Sequence, residues 1–123
     1  MTRTVNFDDV KRRIVEFGDR TTIITVNADG KPHVVTAIIE IKRDRLLTQV
    51  GARTHTNLVE RPALTLTWIP PIGDEYQLIL DGHADGVGEP DSQGVSEITI
   101  AIDSGILHRL AGLPAPGPSC IAL

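Results

Sequence analysis

The pattern of apolar and polar positions predicts one short helix near the start of the chain. Apolar residues recur there at helical spacing, and they are Phe7, Val10, Ile14 and Phe17. Asn6 or Asp8 can cap the first turn, and Gly18 can end the helix. The spacing therefore predicts an amphipathic helix over residues 7–17.

After this helix the pattern changes to the two-residue period of β-strands. Six segments carry it, and they cover residues 21–27, 32–41, 46–50, 63–69, 76–84 and 95–103. The Asp29-Gly30 step between the first two segments is typical of a tight hairpin. Six short strands joined by turn signals predict a mainly β fold, a closed or partly closed antiparallel barrel with two short helices.

The second predicted helix lies between the third and fourth strands. It covers residues 54–60, with Thr54 as a possible N-cap, and Pro62 ends it. The C-terminal residues contain three prolines and two glycines, which predicts an extended or flexible tail. We therefore expect a single barrel domain over residues 1–110 and a flexible tail over residues 111–123.

The composition excludes several classes of protein. The chain has 123 residues with 12 basic and 16 acidic side chains, a formal charge of -4, so we expect no nucleic-acid partner. No apolar run is long enough to span a bilayer, and the N-terminus has no apolar signal core, so we expect no membrane association. Cys120 is the only cysteine, which excludes an intrachain disulfide and fits a cytoplasmic location.

Two positions suggest a binding site. The segment 51–57 joins a strand end to a helix start, where free N–H groups, Arg53 and the Thr54 hydroxyl form a plausible site for one phosphate. Alternatively, Arg53 and Thr54 only cap and solvate this turn. Gln77 begins a half-buried strand, where its amide can bind a flat heterocycle, pair across strands or point to water.

The remaining reactive side chains form no recognised motif. The four histidines have no metal-ligand spacing, so we predict no metal site, and Cys120 has no basic neighbour that would activate it. No Gly-rich phosphate loop is present. These patterns leave the catalytic residues unassigned.

The order of three segments resembles the FMN-binding split β-barrel family of the pyridoxamine 5'-phosphate oxidase type. The segments are TTIITVNADGKPHVV, LLTQVGARTHTNLVERPALTLTW and YQLILDGHA. The resemblance covers about residues 20–84 and continues more weakly to residue 103. It implies a six-stranded antiparallel split barrel that acts as a homodimer, with FMN in a cleft between the two subunits.

The resemblance also implies roles for individual residues. The second strand would lie along the flavin ring, Thr48 near the ribityl chain, and Arg53 with Thr54 at the phosphate. Gln77 or Trp68 would reach the ring from the partner subunit. The implied cofactor-binding residues are Val35, Thr36, Ala37, Thr48, Arg53, Thr54, Trp68 and Gln77.

Two departures from the family pattern change the expected activity. Ala52 and Thr54 stand where the family's phosphate clamp has Ser and Lys, and the C-terminus lacks the Arg/Trp segment that holds a substrate phosphate. We therefore expect a flavin-dependent oxidoreductase that transfers hydride to or from a small-molecule substrate, and not a true pyridoxamine phosphate oxidase.

Three alternatives stay open. The first is a reductase that uses a deazaflavin coenzyme, whose longer anionic tail would contact Lys31, Arg43, Arg45 and Arg53. The second is a non-enzymatic barrel that carries flavin or haem, with His55 or His83 as an iron ligand. The third is a barrel that binds no cofactor.

Overall fold

The computed structural model describes residues 5–113 and 116–123, and this part of the chain folds into two helices and seven strands. The elements in chain order are α1 (Phe7–Phe17), β1 (Arg20–Val26), β2 (Pro32–Lys42), β3 (Arg45–Val50), α2 (Ala52–Glu60), β4 (Ala63–Trp68), β5 (Tyr76–Val87), β6 (Ser96–Arg109) and β7 (Cys120–Ala122).

The first six strands form a closed antiparallel barrel. Neighbouring strands follow the order β3-β2-β1-β4-β5-β6, and β6 pairs again with β3, for example Thr48 with Ile98. The strand β7 is added beside the C-terminal half of β6. The prediction of a mainly β, six-stranded antiparallel barrel with two short helices is confirmed, with β7 as an additional strand.

The barrel interior is filled by the inward-facing residues of the alternating strands. Among those with less than 2% of their surface exposed are Ile23, Leu46, Leu66, Leu78, Leu80, Ile98 and Ile100. Val10 and Ile14 of α1 belong to the same apolar cluster, which places this helix against the barrel. The core is therefore almost entirely aliphatic, with Trp68 as its largest member.

The helix α1 begins and ends where the sequence predicts. The Asn6 side-chain oxygen accepts a hydrogen bond of 2.9 Å from the N–H of Asp8. At the other end Gly18 has φ 102°, a conformation that glycine adopts without a steric penalty, and its N–H donates to the Ile14 carbonyl. Neither α1 nor any other helix in residues 5–113 or 116–123 is long and apolar enough to cross a membrane.

The strand β6 ends six residues later than predicted, at Arg109 instead of residue 103, and it runs through Gly105. Gly105 lies opposite Leu80 on β5. A Cβ at this position would lie 2.7 Å from Leu80 Cδ2 and 3.0 Å from Leu123 Cδ1. The missing side chain therefore makes room for two leucines, and the strand continues through the glycine.

The last residues of the predicted tail form the short strand β7, and residues 114–115 of the tail lie outside the described residues. The strand β7 pairs with β6 from His108 to Ile106, and the N–H of Leu123 donates to the Gly105 carbonyl. One Arg109 nitrogen lies 2.5 Å from the Gly117 carbonyl oxygen and 3.0 Å from that of Pro118. The Tyr76 hydroxyl donates to the same Pro118 carbonyl at 2.7 Å, so two side chains of the barrel hold the tail.

Candidate functional site

A gap in strand pairing creates a groove on one side of the barrel. The strands β2 and β3 pair over only four positions, from Ile39 opposite Thr48 to Lys42 opposite Arg45. Earlier in β2, residues 32–38 pair with β1 and with no other strand in the described part of the chain. Because β3 turns away into α2 at this point, the free edge of β2 faces the start of that helix.

The backbone of β2 offers hydrogen-bonding groups to this groove. The Thr48 hydroxyl donates a 2.8 Å hydrogen bond to the Ile38 carbonyl across the point where the strands separate. Backbone groups along a strand point alternately to its two neighbours. The N–H and C=O of Thr36, two residues earlier, therefore point in the same direction as those of Ile38, into the groove.

The groove has three connected parts, which we name the central part, the basic end and the far end. The central part has a volume of about 300 Å³ and is lined by residues of β2, by the end of β3 and by the start of α2. The basic end, about 570 Å³, shares His33, Ala52 and Arg53 with it and adds Lys31. The far end, about 640 Å³, shares Thr36, Ala37 and Gln49 with it.

The start of α2 is open toward the central part. Gly51 is the N-cap in an extended conformation, and no side chain caps the helix. The first amide N–H groups of an α-helix have no partner within the helix and carry partial positive charge. Arg53 lies in this first turn with an exposed side chain, which forms no ion pair within the described residues. The groove therefore has one cationic side chain beside unsatisfied backbone donors.

The structure brings most of the predicted site residues together. Those that line the central part are Val35, Thr36, Ala37, Arg53 and Thr54, and Thr48 lines the far end. Thr54, however, is not the N-cap. It lies in the third position of α2 and its side chain is buried, because the helix begins two residues earlier than predicted.

Trp68 and Gln77 do not line the groove of their own chain. Trp68 is 2% exposed, and its indole Nε1 donates a 2.9 Å hydrogen bond to the Gly18 carbonyl. This side chain is a core residue and has no surface with which to meet a ligand. Gln77 is the second residue of β5 and lies opposite His108 of β6, with its side chain partly exposed.

The sequence did not point to two residues that line the groove. His33 lies where the basic end meets the central part, and Gln49 lies where the central part meets the far end. The two-residue period of β2 places His33 on the same side as Val35 and Ala37. That period could have identified His33, whereas Gln49 required knowledge of where the pairing of β2 and β3 stops.

Only part of the basic cluster suggested for a longer anionic tail lies in the groove. Lys31 and Arg53 line it. Arg45 instead forms a 2.6 Å ion pair with Asp85, and the hydrogen bond to that carboxylate raises the pKa of the guanidinium above its ordinary value. Arg43 lies in the turn between β2 and β3, at the opposite end of β2 from Lys31.

The histidines considered as iron ligands lie outside the groove. His83 Nδ1 lies 3.0 Å from an Asp103 carboxylate oxygen on the outer surface of β5 and β6. His55 is half-buried on α2 and does not line any part of the groove. Within residues 5–113 and 116–123, no three histidine, cysteine or acidic side chains come together in a way that could hold a metal ion.

No model of a known protein family matches the chain. Over 67 residues it is 31% identical to uncharacterised proteins of Mycobacterium bovis and Mycobacterium tuberculosis. This match covers 54% of the chain, and the chain spans about half the length of these curated relatives (47%).

Solved structures with the same fold are similar over most of the chain. A pyridoxamine 5'-phosphate oxidase-related, FMN-binding protein of Nostoc punctiforme matches with a TM-score of 0.66 at 10% identity, over 87% of this chain and 85% of its own. An F420 reductase matches with a TM-score of 0.64 at 15% identity, over 76% and 94%. A haem-binding protein of Mycobacterium smegmatis matches with a TM-score of 0.68 at 13% identity, over 100% and 59%. The chain therefore has the split-barrel fold of the pyridoxamine 5'-phosphate oxidase-like proteins.

Proposed function

We propose that this protein binds FMN in the groove and acts as a flavin-dependent oxidoreductase, as a homodimer that transfers hydride to or from a small-molecule substrate. The observation that carries the proposal is the continuous path from the free edge of β2 to the uncapped start of α2 at Arg53. This path offers backbone hydrogen bonds for a flat ring and cationic donors for a phosphate. A split-barrel fold shared with FMN-binding and F420-related proteins supports a cofactor of the flavin type.

The phosphate of FMN would lie at the start of α2. Two contributions favour an anion there, the free N–H groups of the first helical turn and the guanidinium of Arg53. The Thr54 hydroxyl is buried behind this turn, so we assign most of the binding to the backbone and Arg53. The single exposed cation at this helix start, Arg53, matches the one phosphate of FMN better than it matches a diphosphate.

The isoalloxazine ring would lie along β2. The backbone N–H and C=O of Thr36 face the groove and can meet the polar edge of the ring, while Val35 and Ala37 supply apolar contact. When bound, the flavin supplies the hydride chemistry. The residues of this chain orient it and exclude water, so no side chain is assigned as a catalytic acid or base.

A second subunit would cover the groove and the neighbouring outer face of the sheet. Val34 on β2 is 57% exposed and lies opposite Ile24 on β1, while Ile79 on β5 lies opposite Ile106 on β6. Both apolar pairs point outward from the barrel, and exposed apolar side chains of this kind suit a symmetric contact between two copies. Gln77, the second residue of β5, also points outward, so a partner's copy of it would be available to the cofactor.

A deazaflavin coenzyme is the second candidate, and one observation favours it. The groove continues beyond Arg53 into the basic end, where Lys31 and His33 lie. A longer anionic tail would occupy this space, whereas FMN would leave it open. The choice between the two cofactors therefore depends on whether Lys31 contributes to binding.

The first experiment is a visible absorption spectrum of the purified protein, followed by FMN titration with fluorescence quenching and a molar-mass measurement by light scattering. We expect saturable FMN binding by a dimer, and at least tenfold weaker binding by Arg53→Gln because a charge-assisted contact to the phosphate is lost. Arg43→Gln is the matched control, since it removes the same charge outside the groove. Unchanged FMN affinity in Arg53→Gln would refute the phosphate assignment, and a colourless protein that binds neither cofactor would refute the proposed function.

A further inference from the structure

The far end of the groove has a charge pattern that the cofactor assignment does not use. It is lined by side chains from four strands, and those with charge are Arg20, Glu40 and Glu97. None of the three forms an ion pair or a side-chain hydrogen bond within residues 5–113 and 116–123. All three are exposed, so their charges face the groove and solvent.

Strand register places Arg20 and Glu97 at opposite ends of one row of residues across the sheet. Arg20 on β1 lies opposite Ile38 on β2, and Gln49 on β3 lies opposite Glu97 on β6. Ile38 and Gln49 face each other one step beyond the last pair of β2 and β3. A single row across four strands therefore runs from a cation on β1 to an anion on β6.

The middle of this row holds one apolar and one polar side chain, Ile38 and Gln49. Ile38 is 60% exposed, and the half-buried Leu47 on β3 lies in the next row, opposite Glu40. An exposed apolar side chain and an amide between two unpaired opposite charges are complementary to a small molecule that has an uncharged middle and a charge at each end. Glu40 lies on the same face as Ile38, one strand from Arg20 and two strands from Glu97.

We infer that the far end is the substrate subsite and that it takes a small dipolar molecule, with an anionic group toward Arg20 and an amine toward Glu97. This inference rests on the function proposed above, because a ring seated along Thr36 and Ala37 would border this volume directly. Both parts of the groove share those two residues. Arg20 and Glu97 are then specificity-determining residues, and the charge arrangement would select against molecules that carry only one of the two groups.

The test uses three probes with the same ring, 4-(aminomethyl)benzoate, 4-methylbenzoate and 4-methylbenzylamine. Each is titrated at low salt into the isotope-labelled protein without cofactor, and binding is followed by NMR shifts of the backbone amides. We expect the dipolar probe to bind about three- to tenfold more tightly than either single-charge probe. The largest shifts should lie at Ile38, Leu47 and Gln49.

Two variants separate the contributions. In Arg20→Gln, the dipolar probe should bind no more tightly than 4-methylbenzylamine. In Glu97→Gln, it should bind no more tightly than 4-methylbenzoate. The control Arg43→Gln should keep the higher affinity for the dipolar probe over both. Equal affinity for all three probes, or shifts confined to other surfaces, would overturn the inference. Because these titrations need no flavin, a protein that selects the dipolar probe but ignores FMN would refute the proposed function and leave the subsite standing.

Discussion

Asn57 on α2 donates a hydrogen bond of 3.0 Å from its amide nitrogen to the hydroxyl of Thr25 on β1, and both side chains are buried. This contact joins the helix that carries Arg53 to the strand beside β2. The distance between the start of α2 and the free edge of β2 therefore depends on a buried polar pair.

Replacing Asn57 with Leu should destabilise the fold by about 1–3 kcal/mol, because the Thr25 hydroxyl loses its buried partner. Urea unfolding measures this change. Thr25→Val and the double variant complete the cycle, and a coupling energy near zero would show that the pair does not hold the helix in place.

Replacing Lys31 with Gln should distinguish the two candidate cofactors. A deazaflavin coenzyme with an anionic tail should bind several-fold more weakly to this variant, whereas FMN should bind within about twofold of the unaltered protein, since one phosphate is met at Arg53. Fluorescence titration with each cofactor gives both affinities. Equal losses for the two cofactors would contradict the separation of the basic end from the phosphate position.

Replacing Arg109 with Gln should release the C-terminal strand without unfolding the barrel. The side chain loses its contacts to the carbonyls of Gly117 and Pro118, so amides of residues 120–123 should exchange with solvent about tenfold faster or more. Tyr76→Phe removes only one hydrogen bond and should have a smaller effect. An equal rise of amide exchange in β6 and β7 of the Arg109 variant would contradict this prediction, because it would show that the tail unfolds together with the barrel.

Asp91 should make the loop between β5 and β6 sensitive to acid. Hydrogen bonds from the backbone N–H groups of Val95 and Gln93 lower the pKa of this carboxyl below its ordinary value of 3.8. A pKa that is lower in the folded state means that ionised Asp91 stabilises the fold at neutral pH. This contribution disappears as the pH falls through the folded-state pKa.

Asp91→Ala should therefore be less stable than the unaltered protein at neutral pH, and the difference should shrink at an acidic pH below the carboxyl's ordinary pKa of 3.8. Thermal unfolding at both pH values tests this. Asp91→Asn keeps an acceptor oxygen without the charge, so its own stability should lose this dependence on pH. A difference that stays constant from neutral to acidic pH would exclude the titration of Asp91 as its cause.

Local patterns predict most of the barrel, because each strand buries every second side chain and each helix buries one face. These two requirements produce the alternation and the helical spacing of apolar residues in the sequence. The features that were missed depend on distant parts of the chain. Gly105 interrupts a pattern, and only the packing of Leu80 and Leu123 against it explains why the strand continues. The strand β7 has three residues and is held by Arg109 and Tyr76, so no local signal could predict it.

The site shows the same division. Arg53 was identified from the strand-to-helix junction and from the resemblance, and Thr36 from the resemblance alone. The resemblance implied Gln77 or Trp68 at the ring, but burial and the hydrogen bond to Gly18 place Trp68 in the core. The far end was not expected, since its charged residues line one groove only when β1, β2, β3 and β6 are brought into register.

The unpaired edge of β2 also has a cost for the protein in storage and in the cell. A strand edge with free N–H and C=O groups is a template for another strand as well as for a ligand. An empty groove would therefore invite self-association by the same backbone groups that are proposed to hold the flavin. Occupation of the groove, or its cover by a second subunit, would protect solubility, so the proposed binding site and the point most vulnerable to aggregation are one place in this fold.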